Sequence, residues 1–405
     1  MSPLVDEIVV VDTGSTDTTR RIARKRGARL YSFAWADDFA AARNHGLAQA
    51  RGRWILYIDA DEWVRPADAA RLREQLADPA LAACYVLLHP QIDFTPYWEL
   101  RLFRNDPRIR FRGVIHESIW PGVEAYRSAE GGRIGRTRLV LDHEGYEGDQ
   151  SAKHRRDLPL LRRRLRYDPT AVYCWCHLAG IHAARGEGRL AVRAWTAALD
   201  VVRGKTERRA EDSLPYIGLV QWRLRHGGPV EALLTEALAG FPRNLYLRWL
   251  RASALMRARR FAKAASVLEQ LIETGRGGTF ERAMAYDRRL FGAQAQGALA
   301  TCHWNLGNLA LSRRWFERAA ASEPGAIEYR VKAAISHRCD RASTRATPDT
   351  APRRLPPTPR RERASPRRPD GSSRRAAIIL GSGKPAASTK PAVGRAKSAR
   401  FGAPR

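Results

Sequence analysis

Two carboxylates follow an apolar segment near the start of the chain. Residues 54–58 form a run of five apolar residues, which is typical of a strand buried inside a parallel sheet. Asp59 and Asp61 come directly after it. Because side chains alternate along an extended segment, we expect these carboxylates to point the same way. Such a pair suits Mg²⁺ or Mn²⁺ carrying a phosphorylated ligand, and a solvated strand end is the simpler alternative.

The segments around this pair predict an α/β domain. In order, they are a strand over residues 7–12, a helix over 20–26, a strand over 29–33, a helix over 39–50 and the strand over 54–58. This alternation is typical of a mostly parallel sheet covered by helices. Asp12 and Asp59 then end strands at the same edge, where an acid can bind ribose or a base. For Asp12, an acid that caps the following helix is the alternative.

Three sequence blocks together resemble the family 2 glycosyltransferases, in the bacterial branch that adds helical repeats. The blocks are Asp12-Thr13-Gly14-Ser15-Thr16-Asp17, Ala42-Arg43-Asn44 and Leu56-Tyr57-Ile58-Asp59-Ala60-Asp61-Glu62. The resemblance covers about residues 4–150 and implies a GT-A-like nucleotide-binding domain. It implies that a nucleotide-sugar donor is bound by Asp12, Ser15, Arg43, Asn44 and Asp59. It also implies a divalent cation, Mn²⁺ or Mg²⁺, held by Asp59 and Asp61.

A fourth block, residues 111–117, resembles the Val-His-Glu block on the acceptor side of this family. Sugar transfer with inversion needs a base that takes the proton of the acceptor hydroxyl, and Glu117 is the predicted base. His116 suits a metal-side or hydrogen-bonding position beside it. A salt-bridged pair at a strand end is the alternative for this block. His143, in the turn of residues 142–146, is predicted to be structural. The remaining elements predicted here are a helix over 67–76 and strands over 85–88, 100–103 and 109–115.

Members of this family begin with a further strand and helix ahead of the strand that corresponds to residues 7–12. Here Met1 lies six residues ahead of Glu7. A parallel sheet without a central strand loses ladder hydrogen bonds and leaves apolar surface bare. Two hypotheses follow. The first is a metal-dependent, inverting glycosyltransferase with an unknown acceptor, a protein or a glycan intermediate. The second is a catalytically impaired copy that acts as a repeat-based protein-binding module.

From about residue 153 the sequence predicts amphipathic helices without strands. Trp175, Leu178, Ala179, Ala191, Trp195 and Ala198 fall at offsets 0, 3, 4, 16, 20 and 23. Matching positions recur as Leu299, Ala300, Ser312, Phe316 and Ala319, and less completely as Tyr216, Leu219, Ala232 and Ala239. The pattern resembles tetratricopeptide repeats of about 34 residues. We expect an all-α repeat domain over 151–335 that binds the acceptor or a protein partner, with a packing scaffold or dimer surface as the alternative.

The net charge of +29 is unevenly distributed. Residues 336–405 contain 18 Lys and Arg and 4 Asp and Glu, which gives +14 and leaves +15 for residues 1–335. This tail is rich in Pro, Arg, Ser and Ala and lacks a hydrophobic period, so we expect disorder there. Nucleic acid is not an expected partner of the protein, because aromatic and groove-reading motifs are absent from the sequence.

Cysteine usage and hydropathy predict the compartment. The five cysteines are scattered and form no Cys-x-x-Cys pair, which fits a reducing environment. The chain does not open on a signal-peptide pattern, and its apolar runs fall short of the ~20 residues of a membrane span. We therefore expect a soluble cytoplasmic protein.

Overall fold

The computed structural model describes residues 4–90, 93–143, 151–278 and 280–345. The strands are β1 (Val9–Asp12), β2 (Arg29–Ser32), β3 (Trp54–Leu56), β4 (Glu62–Val64), β5 (Leu81–His89), β6 (Tyr97–Arg104) and β7 (Arg133–His143). The helices interleaved with these strands are α1 (Thr19–Lys25), α2 (Phe39–Gln49), α3 (Ala69–Leu76) and α4 (Trp120–Glu130). The helices that follow are α5 (Ser151–Tyr167), α6 (Val172–Ala184), α7 (Gly188–Arg203), α8 (Leu214–His226), α9 (Glu231–Gly240), α10 (Leu245–Arg257), α11 (Phe261–Gly277), α12 (Ala293–Asn305), α13 (Leu309–Ser322) and α14 (Ile327–Arg345).

The strands form two sheets rather than one mostly parallel sheet. β1 and β2 make a parallel pair, and the other strands form a mixed sheet in the order β3-β6-β5-β7-β4. In the mixed sheet only β5 and β7 run parallel. The predicted α/β class is confirmed, but the predicted mostly parallel sheet is wrong. The connection from β5 to β6 is only a few residues long, and such a short connection joins antiparallel strands.

A groove of about 650 Å³ lies between β1 and β3. Within the described residues, β1 pairs only with β2, and β3 pairs only with β6. Apolar side chains of both strands line the groove, among them Val9 and Val11 from β1 and Trp54 and Leu56 from β3. Facing edges without strand partners and an apolar lining are the arrangement that we expect where a sheet lacks a central strand.

The segment after β6 differs from its prediction. Residues 109–115, predicted to be a strand, form an irregular loop that is closed by an isolated bridge between Arg112 and Ser118. Ile109 and Phe111 are buried in the core under α2, together with Phe103 of β6. The apolar pattern therefore reflects a loop that is anchored in the core rather than a strand. β4 and β7 were not predicted from the sequence.

Antiparallel helix pairs follow the sheet domain. The helix pairs in extensive contact include α6 with α7, α10 with α11, α12 with α13, and α13 with α14. Small residues allow this close approach: Ala179, Ala191 and Ala198 are fully buried, as the repeat pattern predicts. The repeat predicted from Tyr216, Leu219, Ala232 and Ala239 corresponds to α8 and α9, and the predicted register is wrong in α9. Ala232 and Ala239 are exposed there, and Leu234 and Ala237 are buried instead.

The last described helix runs past the predicted end of the repeats. α14 continues to Arg345, so residues 336–345 are helical and the disorder predicted for them is wrong. Ser336 is buried, and its hydroxyl lies 3.3 Å from that of Ser312 on α13. Residues 346–405, the rest of the predicted tail, lie outside the described residues. The described residues belong to one compact unit. None of the helices described is both long and apolar enough to cross a membrane.

Candidate functional site

Arg43 on α2 joins two of the predicted site residues. The helix begins as predicted, with the carboxylate of Asp38 accepting a hydrogen bond from the backbone N–H of Ala41 at 2.9 Å. One turn further on, Arg43 Nη2 donates to Asp59 Oδ1 at 2.5 Å, and Arg43 Nε donates to Glu117 Oε1. The helix therefore brings the end of β3 and the loop of residues 109–119 into one site.

Arg101 on β6 supplies a second cation that the sequence analysis missed. Its guanidinium contacts Asp59 Oδ2 at 3.3 Å, Glu62 at 2.7 Å and Glu99 at 3.2 Å. The Arg101 side chain is only 6% exposed, so it needs these carboxylates as partners. The available signal was an arginine between Leu100 and Leu102 in an apolar strand. A buried arginine at such a position requires acids nearby.

The ring of Tyr57 contacts both guanidinium groups. Their central carbons lie 5.1 Å (Arg43) and 4.6 Å (Arg101) from the ring centroid, within the range of cation–π attraction. Phe111 packs edge-on against the same ring at 5.0 Å. Burial raises the pKa of the Tyr57 hydroxyl well above its usual value, so this group stays neutral. The aromatic residues fix the two arginines from the apolar side of the site.

The charges of the site support one another. Burial by itself would raise the pKa of Asp59, but Arg43 and Arg101 together hold this pKa below its usual value. Burial also opposes the charged form of Arg43, but Asp59 and Glu117 outweigh burial and raise the pKa of the guanidinium. Burial raises the pKa of Glu62, although Arg101 acts in the opposite direction. Asp59 is therefore a fixed anion at neutral pH.

Asp59 and Asp61 point in different directions, contrary to the prediction. The chain leaves β3 at Leu56 and turns at residues 59–62, where the Glu62 N–H donates to the Asp59 carbonyl at 3.1 Å. Alternation along a strand therefore does not apply. Asp61 lies 3.1 Å from Nε2 of His143 at the end of β7. His143, predicted to be structural, is thus the neighbour of a predicted metal ligand. The other residues predicted for its turn, 144–146, lie outside the described part of the chain.

The carboxylates fit a divalent cation only in part. Among the described residues, no group of three or more His, Cys, Asp or Glu side chains could hold a metal ion. Both oxygens of Asp59 accept hydrogen bonds from arginines, so in this arrangement Asp59 does not fit as a ligand. The side chain of Asp61 is 49% exposed and fits better, because Mg²⁺ is commonly bound by one or two carboxylates together with phosphate oxygens and water.

The structure does not bring the remaining predicted residues into the Arg43 cluster. Asp12 is buried and accepts hydrogen bonds from the Ser15 N–H and from Arg20, each at 3.1 Å. The pKa of Asp12 is held below its usual value, first by the side-chain hydroxyl of Ser15 and then by the Ser15 N–H and the charge of Arg20. Asn44 forms a two-point clamp on the backbone of Phe111, with bonds of 2.9 and 2.8 Å. Both the oxygen and the nitrogen of the Asn44 amide are engaged in these bonds, so Asn44 holds the backbone of Phe111 in place.

His116, beside Glu117, has a hydrogen-bonding partner outside the sheet domain. Its Nε2 lies 2.5 Å from Nδ1 of His177 on α6. Tyr173, one turn earlier on α6, packs edge-on against the His116 ring at 4.8 Å. The sequence predicts a metal-side or hydrogen-bonding position for His116 but identifies neither of these partners. Both lie about 60 residues downstream, in a helix predicted only to form repeats.

Comparisons with known proteins agree with this two-part architecture. Residues 2–129 match the model of the glycosyl transferase family 2. A TPR repeat-containing protein of Synechococcus elongatus is 37% identical over 219 residues, which cover 52% of this chain and 53% of that protein. The SPbeta prophage-derived glycosyltransferase SunS of Bacillus subtilis is 27% identical over 175 residues, or 40% of each chain. The chain thus spans about half the length of the first relative and less of the second.

One solved structure with similarity to this chain is BtubC from P. vanneervenii, with 15% identity, a TM-score of 0.39 and coverage of 53% of this chain and 98% of that one. The family match and the helix pairs confirm the predicted organisation, in which a family 2 glycosyltransferase domain precedes tetratricopeptide-like repeats.

Proposed function

We propose that this protein transfers a sugar from a nucleoside-diphosphate donor to a hydroxyl or another nucleophile of an acceptor. The observation that carries the proposal is the double contact of Arg43, which holds Asp59 and Glu117 at one site inside the family 2 domain. Glu117 Oε2 has no hydrogen-bond partner among the described residues, so one carboxylate oxygen is free to accept a proton. The Glu117 side chain is 10% exposed, which shields this base from bulk water.

Glu117 acts as the general base in this proposal. The acceptor oxygen forms a bond to the anomeric carbon of the sugar while the bond from that carbon to the phosphate oxygen breaks. The acceptor proton goes to Glu117, and the nucleoside diphosphate leaves with the electron pair. Attack from the face opposite the leaving group inverts the anomeric centre. Arg43 orients Glu117 through the contact between its Nε and Glu117 Oε1.

Asp61 is the proposed protein ligand of a divalent cation, and His143 orients its carboxylate. When bound, the cation supplies charge that stabilises the leaving diphosphate. Asp59 keeps its contacts with Arg43 and Arg101, and its proposed task is to fix these two arginines near the donor. Asp12 and Ser15, at the carboxyl end of β1, remain the proposed contacts of the nucleoside.

The test is a transfer and hydrolysis assay with UDP-, GDP- and dTDP-sugars in the presence of Mn²⁺. We expect turnover of at least one donor by the wild-type protein. Glu117→Gln should lose roughly 100-fold or more in kcat, since a positioned base contributes about 10²–10⁴-fold, while donor affinity stays unchanged. Glu130→Gln, at an exposed carboxylate on α4, is the matched control and should behave as wild type. Full activity of Glu117→Gln would overturn the assignment of the base.

A second candidate function is protein binding by the repeats. The observation that favours it is the relative from Synechococcus elongatus, which is named for its TPR repeats and matches 52% of this chain. A wild-type protein that turns over no donor in the assay above but retains a bound protein partner would favour this second function.

A further inference from the structure

The loop that carries Glu117 is packed on the first helices of the repeats. Ile115 is buried in the hydrophobic core that the repeat helices form, not in the core of the sheet domain. Gly113 lies against the guanidinium of Arg164 on α5, and a Cβ atom at this position would lie 2.7 Å from it. On the other side of the loop, the carbonyl of Val114 accepts a hydrogen bond from the Phe39 N–H at 3.0 Å. The loop is therefore fixed between α2 and the repeats.

His116 has a backbone conformation that is unfavourable for a residue with a side chain. Its φ is +49°, in the left-handed region, where non-glycine residues are uncommon. Such a conformation persists only when its surroundings hold it. The hydrogen bond to His177 and the edge-on contact with Tyr173 provide that hold, and both come from α6. The peptide held in this way is the one that directly precedes Glu117.

The repeats also hold the start of the helix that carries Arg43. Arg163 on α5 donates to the carbonyl of Asp37, and the guanidinium of Arg156 lies 5.3 Å from the ring centroid of Phe39. Asp37 itself has a φ of +53°. The two sides of the ion pair between Arg43 and Glu117 are thus both supported from α5 and α6.

From this geometry we infer that His177 is a positioning residue for the transfer reaction. By its hydrogen bond to His116 it fixes the peptide ahead of Glu117, and so it places the carboxylate against Arg43 and the acceptor. The inference deepens the proposed function and rests on the role of Glu117 as base. It makes α5 and α6 part of the catalytic unit, in addition to any binding of partners by the repeats.

The test compares two substitutions at His177 in the full chain. His177→Phe keeps a ring of similar size but removes the hydrogen bond to His116. In His177→Asn the side-chain amide places a polar δ atom where Nδ1 of the histidine lay, so the hydrogen bond to His116 can still form. We expect a fall in kcat of roughly 10- to 100-fold for His177→Phe, because misplacement of a reacting group by about 1 Å has this cost. KM for the donor should stay within about twofold, and His177→Asn should recover most of the loss.

A matched control is His226→Phe on α8, where the ring stacks on Trp222 at 3.8 Å and lies outside the site. It should retain wild-type kcat. Equal kcat for wild type and His177→Phe would overturn the inference. Equal losses for His177→Phe and His177→Asn would also overturn it, since ring packing rather than the hydrogen bond would then be responsible.

A readout without turnover separates this inference from the proposed function. In protein labelled with ¹⁵N at histidine, the imidazole signals of His116 and His177 report the hydrogen bond directly. We expect both signals to show one fixed tautomer in wild type, and we expect His116 to lose it in His177→Phe. If wild type turns over no donor, the proposed function fails and the role in the reaction fails with it. If His116 is unaffected by His177→Phe, the positioning contact itself is refuted.

Discussion

Arg43 donates to Asp59 and Glu117 at the same time, and these two acids are 58 residues apart in the chain. The contact links the turn after β3 with the loop that β6 leads into. It requires the planar fork of a guanidinium, since the ammonium of a lysine is a single point of charge. The site is therefore expected to depend on the shape of this cation as well as on its charge.

The first prediction concerns this contact. Arg43→Met leaves Glu117 without its cation and leaves Asp59 with Arg101 alone, and it should lower the free energy of unfolding by roughly 1–3 kcal/mol. This is below the 3–5 kcal/mol typical of a broken buried pair, because the Asp59 side chain is 36% exposed. Arg43→Lys should lie between wild type and Arg43→Met. Urea titration measures the order, and a lysine variant as stable as wild type would show that the fork is not needed.

The second prediction concerns the close contact between neighbouring repeats. A Cβ atom on Gly218 of α8 would lie 2.3 Å from Nε1 of Trp195 on α7. Gly218→Ala should therefore destabilise the protein by roughly 1–3 kcal/mol, the usual cost of overpacking. Gly180→Ala on α6 is the matched control, because that site has no atoms within 4 Å and the substitution should stabilise the helix by about 0.5–1 kcal/mol. The measurement is the thermal unfolding midpoint of both variants. Midpoints that shift in the same direction would contradict this packing.

The third prediction concerns the pH dependence of stability. Burial lowers the pKa of His116 from 6.5 to about 4, helped by His177, Lys153 and Arg164 and opposed by Asp157. Between these two pH values the unfolded chain binds a proton at this residue and the folded chain does not. Stability should therefore fall as the pH drops from 6.5 to 4, by at most roughly 3 kcal/mol from this group, at 1.36 kcal/mol per unit.

The check is urea unfolding of wild type and His116→Asn at several pH values. Burial also lowers the pKa of His177, so both wild type and His116→Asn should lose some stability in acid. The slope between pH 6.5 and 4 should be smaller in the variant, and the two curves should run parallel above pH 7. An unchanged slope between pH 6.5 and 4 would mean that His116 takes up its proton equally in the folded and unfolded states.

The local elements of the sheet domain could largely be predicted from the sequence. The strand predicted over residues 29–33 and the helix predicted over 39–50 follow from residue type and spacing, and the structure contains them as β2 and α2. The pairing of the strands could not be predicted in this way. Pairing depends on contacts between distant segments, and nothing in β3 itself specifies that its partner is β6 rather than β1.

The site was predicted in its members but not in its arrangement. Arg43, Asp59 and Glu117 were identified by their sequence blocks, and the structure brings them together. Their roles as nucleotide, metal and base residues remain predictions. Arg101 and His177 were missed because each lies in a segment that carries no block, and only the fold places it at the site. Side-chain direction in the turn after β3 likewise depends on backbone geometry that a strand period does not describe.

The most direct test of the proposed donor site is calorimetric titration with UDP and GDP, with and without Mn²⁺. The titrations are made with wild type, with Asp61→Ala and with the control Asp200→Ala, which removes an exposed acid on α7. We predict that one of the two nucleotides binds wild type and the control only when Mn²⁺ is present, and that Asp61→Ala loses this binding. Absence of binding of either nucleotide to the wild-type protein under both conditions would contradict a donor site in this chain.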